Sequence, residues 1–223
     1  LANEKISDNF LYEIMEETRL ASSGVPLTFF EGFVIGTFLA FSRISAVIVL
    51  IETGMGGRID ATNIIQQKIA TIITPISYDH TEYLGDKIIQ IAFEKAHIIR
   101  PSTPLILGPQ PSEAKKMIEL IANDQNAKLI RYDKEFEIIL DEENGKFDLH
   151  FFDKTFSDLN APKLAGDHQY INASLAIACA LTLPFNIAQK HINQGLRNVY
   201  WPSRLEKINN NLNKFLALSA VNV

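Results

Sequence analysis

The sequence predicts an α/β protein built on a mostly parallel, doubly wound sheet with a β-hairpin at its edge. Helical periodicity separates short apolar segments rich in β-branched residues, a texture typical of parallel strands that are covered on both faces. These segments lie at 46–51, 69–74, 105–107 and 128–130. The hairpin is predicted from the turn residues Asn144 and Gly145, which separate the strand-like segments 136–140 and 147–152.

The helices are predicted from apolar residues at helical spacing and from capping residues at their starts. Ser7 and Asp8 begin the first helix, which ends near Ala21, and Thr28 begins a second that ends near Phe41. Charged residues interrupt the segment 29–51, so we interpret it as a buried helix followed by a buried strand, with no membrane span. Further helices are predicted at 88–99, 112–123 and 169–181, and from Pro184 until Gly195 interrupts or ends the last one.

Composition limits the classes of protein to which the chain can belong. The 223 residues are 47% hydrophobic and 21% charged, which is typical of a folded globular chain. The net charge of −5 and the lack of a basic run argue against nucleic acid as a partner. The single cysteine, Cys179, excludes an internal disulfide and a cysteine-based zinc cluster. No secretion signal is visible at the start, so we expect a cytoplasmic protein.

A polar, glycine-rich segment follows the predicted strand 46–51 and reads Glu52-Thr-Gly-Met-Gly-Gly-Arg58-Ile-Asp60-Ala-Thr-Asn63. Ligands of α/β sheets bind outside the carboxyl ends of the strands, so a carboxylate at Glu52 is well placed for a cation. Arg58 can pair with an anionic group, and Asp60 and Asn63 offer further polar contacts. An ordinary glycine-rich turn with a solvated charge is the alternative. The segment is neither a dinucleotide fingerprint nor a Walker A loop.

Other polar residues have both an ordinary and a functional interpretation. Asp79 and His80 follow the predicted strand 69–74, at the same sheet edge as Glu52 if the strands are parallel. A loop histidine is more often a surface group, and Lys95 on the predicted helix 88–99 is by spacing alone a solvated charge. Helix capping and tryptophan packing are the ordinary explanations for two later segments, Gly166-Asp-His168-Gln169 with Asn172, and Trp201-Pro-Ser-Arg204.

Five motifs in order resemble the folylpolyglutamate synthase and dihydrofolate synthase family, relatives of the Mur ligases. The resemblance covers the chain up to Glu206. The motifs are Thr28-Phe-Phe-Glu31, the segment from Glu52 to Asn63, Asp79-His-Thr-Glu-Tyr-Leu-Gly85, Glu94-Lys-Ala96, and His168-Gln with Asn172 followed by Trp-Pro-Ser-Arg204.

The resemblance implies an enzyme that joins L-glutamate to folate or dihydropteroate with ATP, a step of folate biosynthesis and one-carbon metabolism. The substrate carboxylate would take the γ-phosphoryl group, and the glutamate amine would attack the acyl phosphate. By motif, Glu52 and His80 resemble the Mg²⁺ ligands of the family, and Lys95 resembles its carbamylated lysine. Phosphoryl transfer depends chiefly on positioning and charge neutralisation, which hard cations supply.

The resemblance also implies two binding regions. The pterin-binding positions are Thr28, Phe29, Phe30, Glu31, Ile59, Asp60 and Ala61. The nucleotide contacts are Asn172 and Arg204, whose fork of donors suits phosphate oxygens.

The chain departs from the family pattern in several places. Members carry a Gly-Lys-Ser phosphate loop upstream of the segment that matches Leu1, and a C-terminal domain with an Asp-Gly-Ala-His-Asn stretch; neither occurs here. We therefore interpret residues 1–206 as a partial central ATPase and ligase domain and 207–223 as a divergent tail. His97 and Ser203 each stand where the family has glycine. We expect little activity from the chain alone, and a separate fragment that supplies the phosphate loop is one partner to consider.

Two alternatives remain open at this point. The chain could be a non-catalytic remnant or pterin-binding fragment of such a ligase, or it could be a Mur-type peptidoglycan ligase. The motifs Thr28-Phe-Phe-Glu31 and Glu94-Lys-Ala96, together with Trp-Pro-Ser-Arg204, favour the folate branch.

Overall fold

The computed structural model describes residues 4–141 and 143–201 and shows an α/β protein with two small sheets. The helices are α1 (Asp8–Ala21), α2 (Phe29–Arg43), α3 (Thr81–Leu84), α4 (Ile88–Ala96), α5 (Ser112–Asp124), α6 (His168–Thr182) and α7 (Gln189–Asn198). The strands are β1 (Thr71–Ile73), β2 (Leu105–Leu107), β3 (Leu129–Arg131), β4 (Phe136–Asp141), β5 (Lys146–Phe151) and β6 (Lys154–Asn160). A short 3₁₀ helix spans Ala61–Ile64.

The parallel sheet has the order β1-β2-β3 and confirms the predicted alternation of strands and helices. Helix α4 connects β1 to β2, and α5 connects β2 to β3. All three residues of β2 are buried, as expected for a central strand covered on both faces. One core cluster joins this sheet to α4 and α5, with Ile91 and Ile118 fully buried between them.

The predicted hairpin is present as β4 and β5, joined by a turn in which Gly145 has φ of 61°. A third strand, β6, pairs with β5 and was not predicted, because most of its side chains are exposed and give little apolar alternation. These three strands form their own antiparallel sheet. An isolated bridge between Tyr132 and Phe136 lies where β3 leads into β4. A second core cluster joins this sheet to α6 and α7.

The predicted buried strand 46–51 is wrong. The segment has no strand hydrogen bonding, and the exposed fractions of Val47 and Leu50 are 86% and 88%. A strand needs a neighbour to bond its backbone, and β1 pairs with β2 alone among the described strands. The predicted burial of α2 is also wrong, because Val34, Gly36 and Ala40 are its only buried residues.

Side-chain caps begin the first two helices as predicted. The Ser7 hydroxyl accepts a hydrogen bond from the Phe10 N–H at 3.3 Å. Thr28 and Glu31 form a capping box, in which the Glu31 N–H donates to the Thr28 hydroxyl at 3.2 Å and the Thr28 N–H donates to the Glu31 carboxylate at 2.8 Å. The conformation of the Thr28–Glu31 motif is therefore determined largely by residues within it.

The prediction that Pro184 begins the last helix is wrong. Backbone bonds from Phe185 to Leu183 and from Ile187 to Phe185 form turns instead, and α7 begins at Gln189. The helix also continues through Gly195, whose Cβ position is open, since a helical glycine is tolerated at a modest energetic cost. No helix among the described residues is long and apolar enough to cross a membrane.

The exposed apolar segment 46–51 is expected to make the chain associate in solution, because large exposed apolar patches drive association. Leu50→Lys should lower the apparent mass in size-exclusion chromatography, while Leu120→Lys, at an exposed leucine of α5, should not. A compact monomer for the unsubstituted chain at all concentrations tested would contradict this expectation.

Candidate active site

The glycine-rich loop 52–64 lies directly against α4. A Cβ on Gly57 would lie 2.7 Å from the carbonyl oxygen of Glu94, so only glycine permits this backbone approach. Next to it, the Arg58 N–H donates to the same Glu94 oxygen at 2.9 Å. The loop is therefore anchored to the helix that carries Lys95.

Asp60 organises the centre of this loop. Its carboxylate accepts hydrogen bonds from the Met55 N–H at 2.8 Å, the Thr62 N–H at 2.9 Å and the Thr62 hydroxyl at 2.5 Å. Burial acts to raise the pKa of Asp60, but these bonds outweigh it and hold the pKa below its ordinary value. The side chain is therefore a charged acceptor at neutral pH.

Phe30 brings the Thr28–Glu31 motif to the same loop. A Cβ on Gly54 would lie 2.2 Å from Cζ of Phe30, so the aromatic ring occupies the space that a larger residue would fill. Asp60 lies beside this contact, because it also accepts a hydrogen bond from the Gly54 backbone. Phe30 and Gly54 are 24 residues apart in the sequence, so two separate motifs meet in the structure.

The other predicted pterin-binding residues surround this meeting point with accessible surface. Phe29 is 82% exposed, and its ring packs at 4.6 Å from that of Phe33. Ile59 is 80% exposed, and Ala61 is half-buried at the start of the 3₁₀ helix. Exposed aromatic and aliphatic groups beside a charged acceptor can bind a flat heterocycle that has ring N–H donors.

The predicted metal ligands, Glu52 and His80, are both exposed. Glu52 is exposed and follows no strand, so its predicted place at a strand end is wrong. His80 is exposed with φ of 49°, and its Nε2 atom lies 3.6 Å from Asp79. Within residues 4–141 and 143–201, no group of three or more His, Cys, Asp and Glu side chains could hold a metal ion.

The residues present nevertheless fit one part of a Mg²⁺ site. Mg²⁺ usually keeps several waters and takes one or two protein carboxylates together with phosphate oxygens. Glu52 is a carboxylate with no hydrogen bond or ion pair to any other described residue. A single free carboxylate suits an ion whose remaining ligands are water and phosphate, whereas the His80 nitrogen is a less typical ligand for it.

Arg58 of the loop and His97, which follows α4, were both singled out in the sequence and lie close to the end of this helix. Arg58 was predicted to pair with an anionic group, and its Nε donates to the Glu94 carboxylate at 3.0 Å. His97 stands where the family has glycine, but its φ of −72° is available to any residue. Lys95 itself lies in the last turn of α4, where its side chain makes no hydrogen bond or ion pair with a described residue.

Sequence reasoning missed a second attachment between the loop and α4. Lys68 and Arg100 both donate to the Asn63 side-chain oxygen, at 2.8 and 2.7 Å. Burial, and secondly the charge of Arg100, lower the pKa of Lys68 to about 8. The only local signal for this arrangement was that apolar residues at 69 and 70 directly follow Lys68.

The predicted nucleotide contacts are only partly described. Asn172 lies on α6, donates to the Gln169 side chain at 3.2 Å, and lines an open cavity of about 440 Å³ between α6 and α7. Arg204 lies outside the described residues, as do Ser203 and the segment 207–223. The roles of Asn172 and Arg204 as nucleotide contacts therefore stay predictions.

Comparisons with known proteins agree on one family, although no protein-family model matches the chain. The chain is 29% identical over 206 residues to folylpolyglutamate synthase of Lacticaseibacillus casei, covering 89% of this chain and 48% of that protein. It is 33% identical over 190 residues to dihydrofolate synthase/folylpolyglutamate synthase of Bacillus subtilis, covering 81% of this chain and 44% of that protein.

Solved structures agree with these relatives. E. coli FolC in complex with DHPP and ADP superposes with a TM-score of 0.83 at 26% identity, over 92% of this chain and 48% of that one. The FPGS-AMPPCP-folate complex gives a TM-score of 0.80 at 28% identity, over 91% of this chain and 50% of that one. The chain thus spans about half the length of the relatives that it matches. The shared motifs, the sequence relatives and the superposed folds together show that this chain belongs to the folylpolyglutamate synthase/dihydrofolate synthase family.

Proposed function

We propose that the chain provides the pterin-binding part and some catalytic residues of an ATP-dependent ligase that joins L-glutamate to folate or dihydropteroate. The observation that carries the proposal is the meeting of the Thr28–Glu31 motif with the glycine loop, through Phe30, Gly54 and Asp60. The neighbours that superpose on the chain include complexes with DHPP and ADP and with folate. Residues 1–206 are the proposed partial ligase domain, and 207–223 the proposed divergent tail.

The proposed pterin site uses the groups at that meeting point. Asp60 accepts ring N–H bonds as a carboxylate, while Phe29, Phe30 and Ile59 contact the ring faces. The capping box between Thr28 and Glu31 keeps the start of α2 in place, and this first turn carries both phenylalanines. Ala61 begins the 3₁₀ helix that Asp60 caps.

In the proposed reaction, the substrate carboxylate attacks the γ-phosphorus of ATP and ADP leaves. The glutamate amine then attacks the acyl phosphate, which releases phosphate and forms the amide. Glu52 and His80 are the proposed holders of Mg²⁺, which when bound neutralises phosphate charge. Lys95, once carbamylated, would present an anionic oxygen from α4. Its side chain makes no ion pair with a described residue, which leaves it available for that modification.

The nucleotide part of the proposal rests on Asn172 and Arg204. The 223 residues contain no Gly-Lys-Ser or Gly-Lys-Thr sequence. We therefore propose that other residues supply the phosphate cradle, either in the same polypeptide or in a separate fragment. The cytoplasm is the proposed compartment, in keeping with the single free cysteine, Cys179.

A second candidate function is pterin binding without catalysis. The described residues join the pterin positions through Phe30 and Gly54, whereas they form no cluster of three metal-binding side chains. A protein that binds pterin without catalysis needs the contact between Phe30 and Gly54 but does not need a metal site. Glutamate-dependent ADP release distinguishes the ligase from a protein that only binds pterin.

Isothermal titration of the chain with dihydropteroate tests the pterin site. We expect binding by the unsubstituted chain and at least ~10-fold weaker binding by Asp60→Asn, because a charged acceptor contributes about 1.5–3 kcal/mol to a hydrogen bond. Asp124→Asn, at an exposed aspartate at the end of α5, should bind like the unsubstituted chain. A folded chain that does not bind dihydropteroate would overturn the proposed pterin site.

A further inference from the structure

Lys68 and Arg100, two residues outside the predicted site, attach Asn63 at the end of the glycine loop to the end of α4. Arg100 donates to the Asn63 carbonyl and side-chain oxygens at 2.6 and 2.7 Å and to the His97 carbonyl at 2.8 Å. Lys68 donates to the Asn63 side-chain oxygen at 2.8 Å and to the Ile98 carbonyl at 2.9 Å. We call Asn63, Lys68 and Arg100 the cationic clamp.

The clamp places two positive charges together without an acidic partner among the described residues. Every acceptor of Lys68 and Arg100 is a carbonyl or amide oxygen, and several of them follow the last turn of α4. Carbonyls at a helix C-terminus lack intrahelical partners and carry partial negative charge. Both cations therefore serve to hold backbone oxygens of two separate segments in one place.

The clamp complements a second attachment at the other end of the loop. There, Arg58 pairs with Glu94 on α4, but the Arg58 side chain is 45% exposed. An exposed ion pair contributes about 0–1 kcal/mol, so this end of the loop is held chiefly by the Arg58 N–H bond to the Glu94 carbonyl and by the close approach of Gly57. The clamp is partly buried and has more bonds. Asp60 lies between the two attachments.

The segment between the attachments has little else to hold it. The 3₁₀ helix Ala61–Ile64 contains no buried residue and packs mainly against α2, so packing against α4 contributes little to its position. The Met55 and Thr62 bonds to Asp60 shape the loop internally but do not join it to α4. Gly57 and Arg58 on one side of Asp60, and the clamp on the other, together determine where Asp60 lies relative to Lys95.

We propose that Asn63, Lys68 and Arg100 are positioning residues, which hold Asp60 of the glycine loop in register with the α4 helix that carries Lys95. The role in catalysis rests on the proposed ligase function; the attachment of the loop does not. None of the three residues needs to touch a substrate. Their effect acts through the loop, whose Gly54, Met55 and Asp60 form one side of the proposed pterin site.

Hydrogen exchange of the ligand-free chain tests the clamp directly. Lys68→Met keeps the length of the side chain and removes its charge and donors. We expect the bonded amides of Met55, Arg58, Thr62 and Asn63 to exchange at least ~10-fold faster, because local opening governs their exchange. Amides of β2 should stay within about two-fold of the unsubstituted chain. Lys190→Met, at an exposed lysine of α7, is the matched control and should change neither set.

The outcomes separate the clamp from the proposed function. Unchanged loop exchange in Lys68→Met, or an equal increase throughout the chain, would overturn the clamp as a positioning device. Should Lys68→Met fail to fold, Asn63→Ala removes the side-chain oxygen shared by both cations and should give the same local increase. Titration with dihydropteroate should show at least ~10-fold weaker binding in the variant that opens the loop. Failure of the unsubstituted chain to bind dihydropteroate would overturn the proposed pterin site. It would not affect the conclusion from hydrogen exchange that the clamp attaches the loop to α4.

Discussion

Glu52→Gln is expected to lower glutamate-dependent ADP release at least ~100-fold. The substitution removes the negative charge of a proposed Mg²⁺ ligand, and a neutral amide oxygen cannot replace that charge at a site that binds phosphates. Glu52 makes no hydrogen bond or ion pair with another described residue, so its charge is not needed to hold the described fold together. The thermal unfolding midpoint should therefore stay the same. The measurement is ADP formation by the chain together with the segment that supplies the phosphate loop, in the presence of ATP, Mg²⁺, L-glutamate and dihydropteroate or tetrahydrofolate.

Controls make this result specific to the proposed site. Glu113→Gln, at an exposed glutamate in the first turn of α5, should keep the rate of the unsubstituted chain. ADP release that Glu52→Gln does not reduce would refute the proposed role of Glu52. A chain that folds and binds dihydropteroate but releases no ADP, even with the segment that supplies the phosphate loop, would favour the second candidate, pterin binding without catalysis.

The second large effect is expected in the core of the antiparallel sheet. Phe147→Ala should lower the free energy of unfolding by about 3–5 kcal/mol, the usual cost of truncating a buried aromatic residue. Phe147 is fully buried in β5, and its ring meets the ring of Tyr170 on α6 edge to face at 5.6 Å. The variant would lose both the packing within the sheet and the contact that joins the sheet to α6. Small domains are stable by only about 5–15 kcal/mol, so this loss is a large part of the total.

Urea denaturation followed by circular dichroism measures this loss. Phe185→Ala is the matched control, because this phenylalanine lies in a turn before α7 with 42% of its surface exposed. Phe185→Ala should lower the free energy of unfolding by less than about 1 kcal/mol, as surface substitutions usually do. Equal losses in the two variants would contradict the described burial of Phe147.

Local sequence patterns were sufficient to predict much of the fold and to identify the family. Ser7 and Thr28 begin the helices that they were predicted to cap, since a cap depends on residues only three positions away. The hairpin turn at Gly145 was predicted for the same reason. The glycine loop was also identified from its residues, and the buried positions of Gly56 and Gly57 explain why small residues stand there.

Local patterns failed where the partner of a segment is distant. Residues 46–51 have the composition of a buried strand, yet strand formation requires a neighbouring backbone, and none of the described strands provides one. The apolar side chains of this segment are therefore exposed. The start of α7 was also mispredicted, because Pro184 suits a helix start but the turns at Phe185 and Ile187 precede the helix instead.

The sequence by itself determined the helix caps, the glycine loop, the alternation that makes the parallel sheet, and the ordered motifs that indicate the family. Each of these depends on residues that are close together in the chain. Only the tertiary structure decided that Phe30 lies against Gly54, that Arg58 pairs with Glu94, and that Lys68 and Arg100 meet on Asn63. Except for Lys68 with Asn63, these partners are 24 to 37 residues apart. Their meeting depends on how α2, α4 and the loop pack together, which no local pattern encodes.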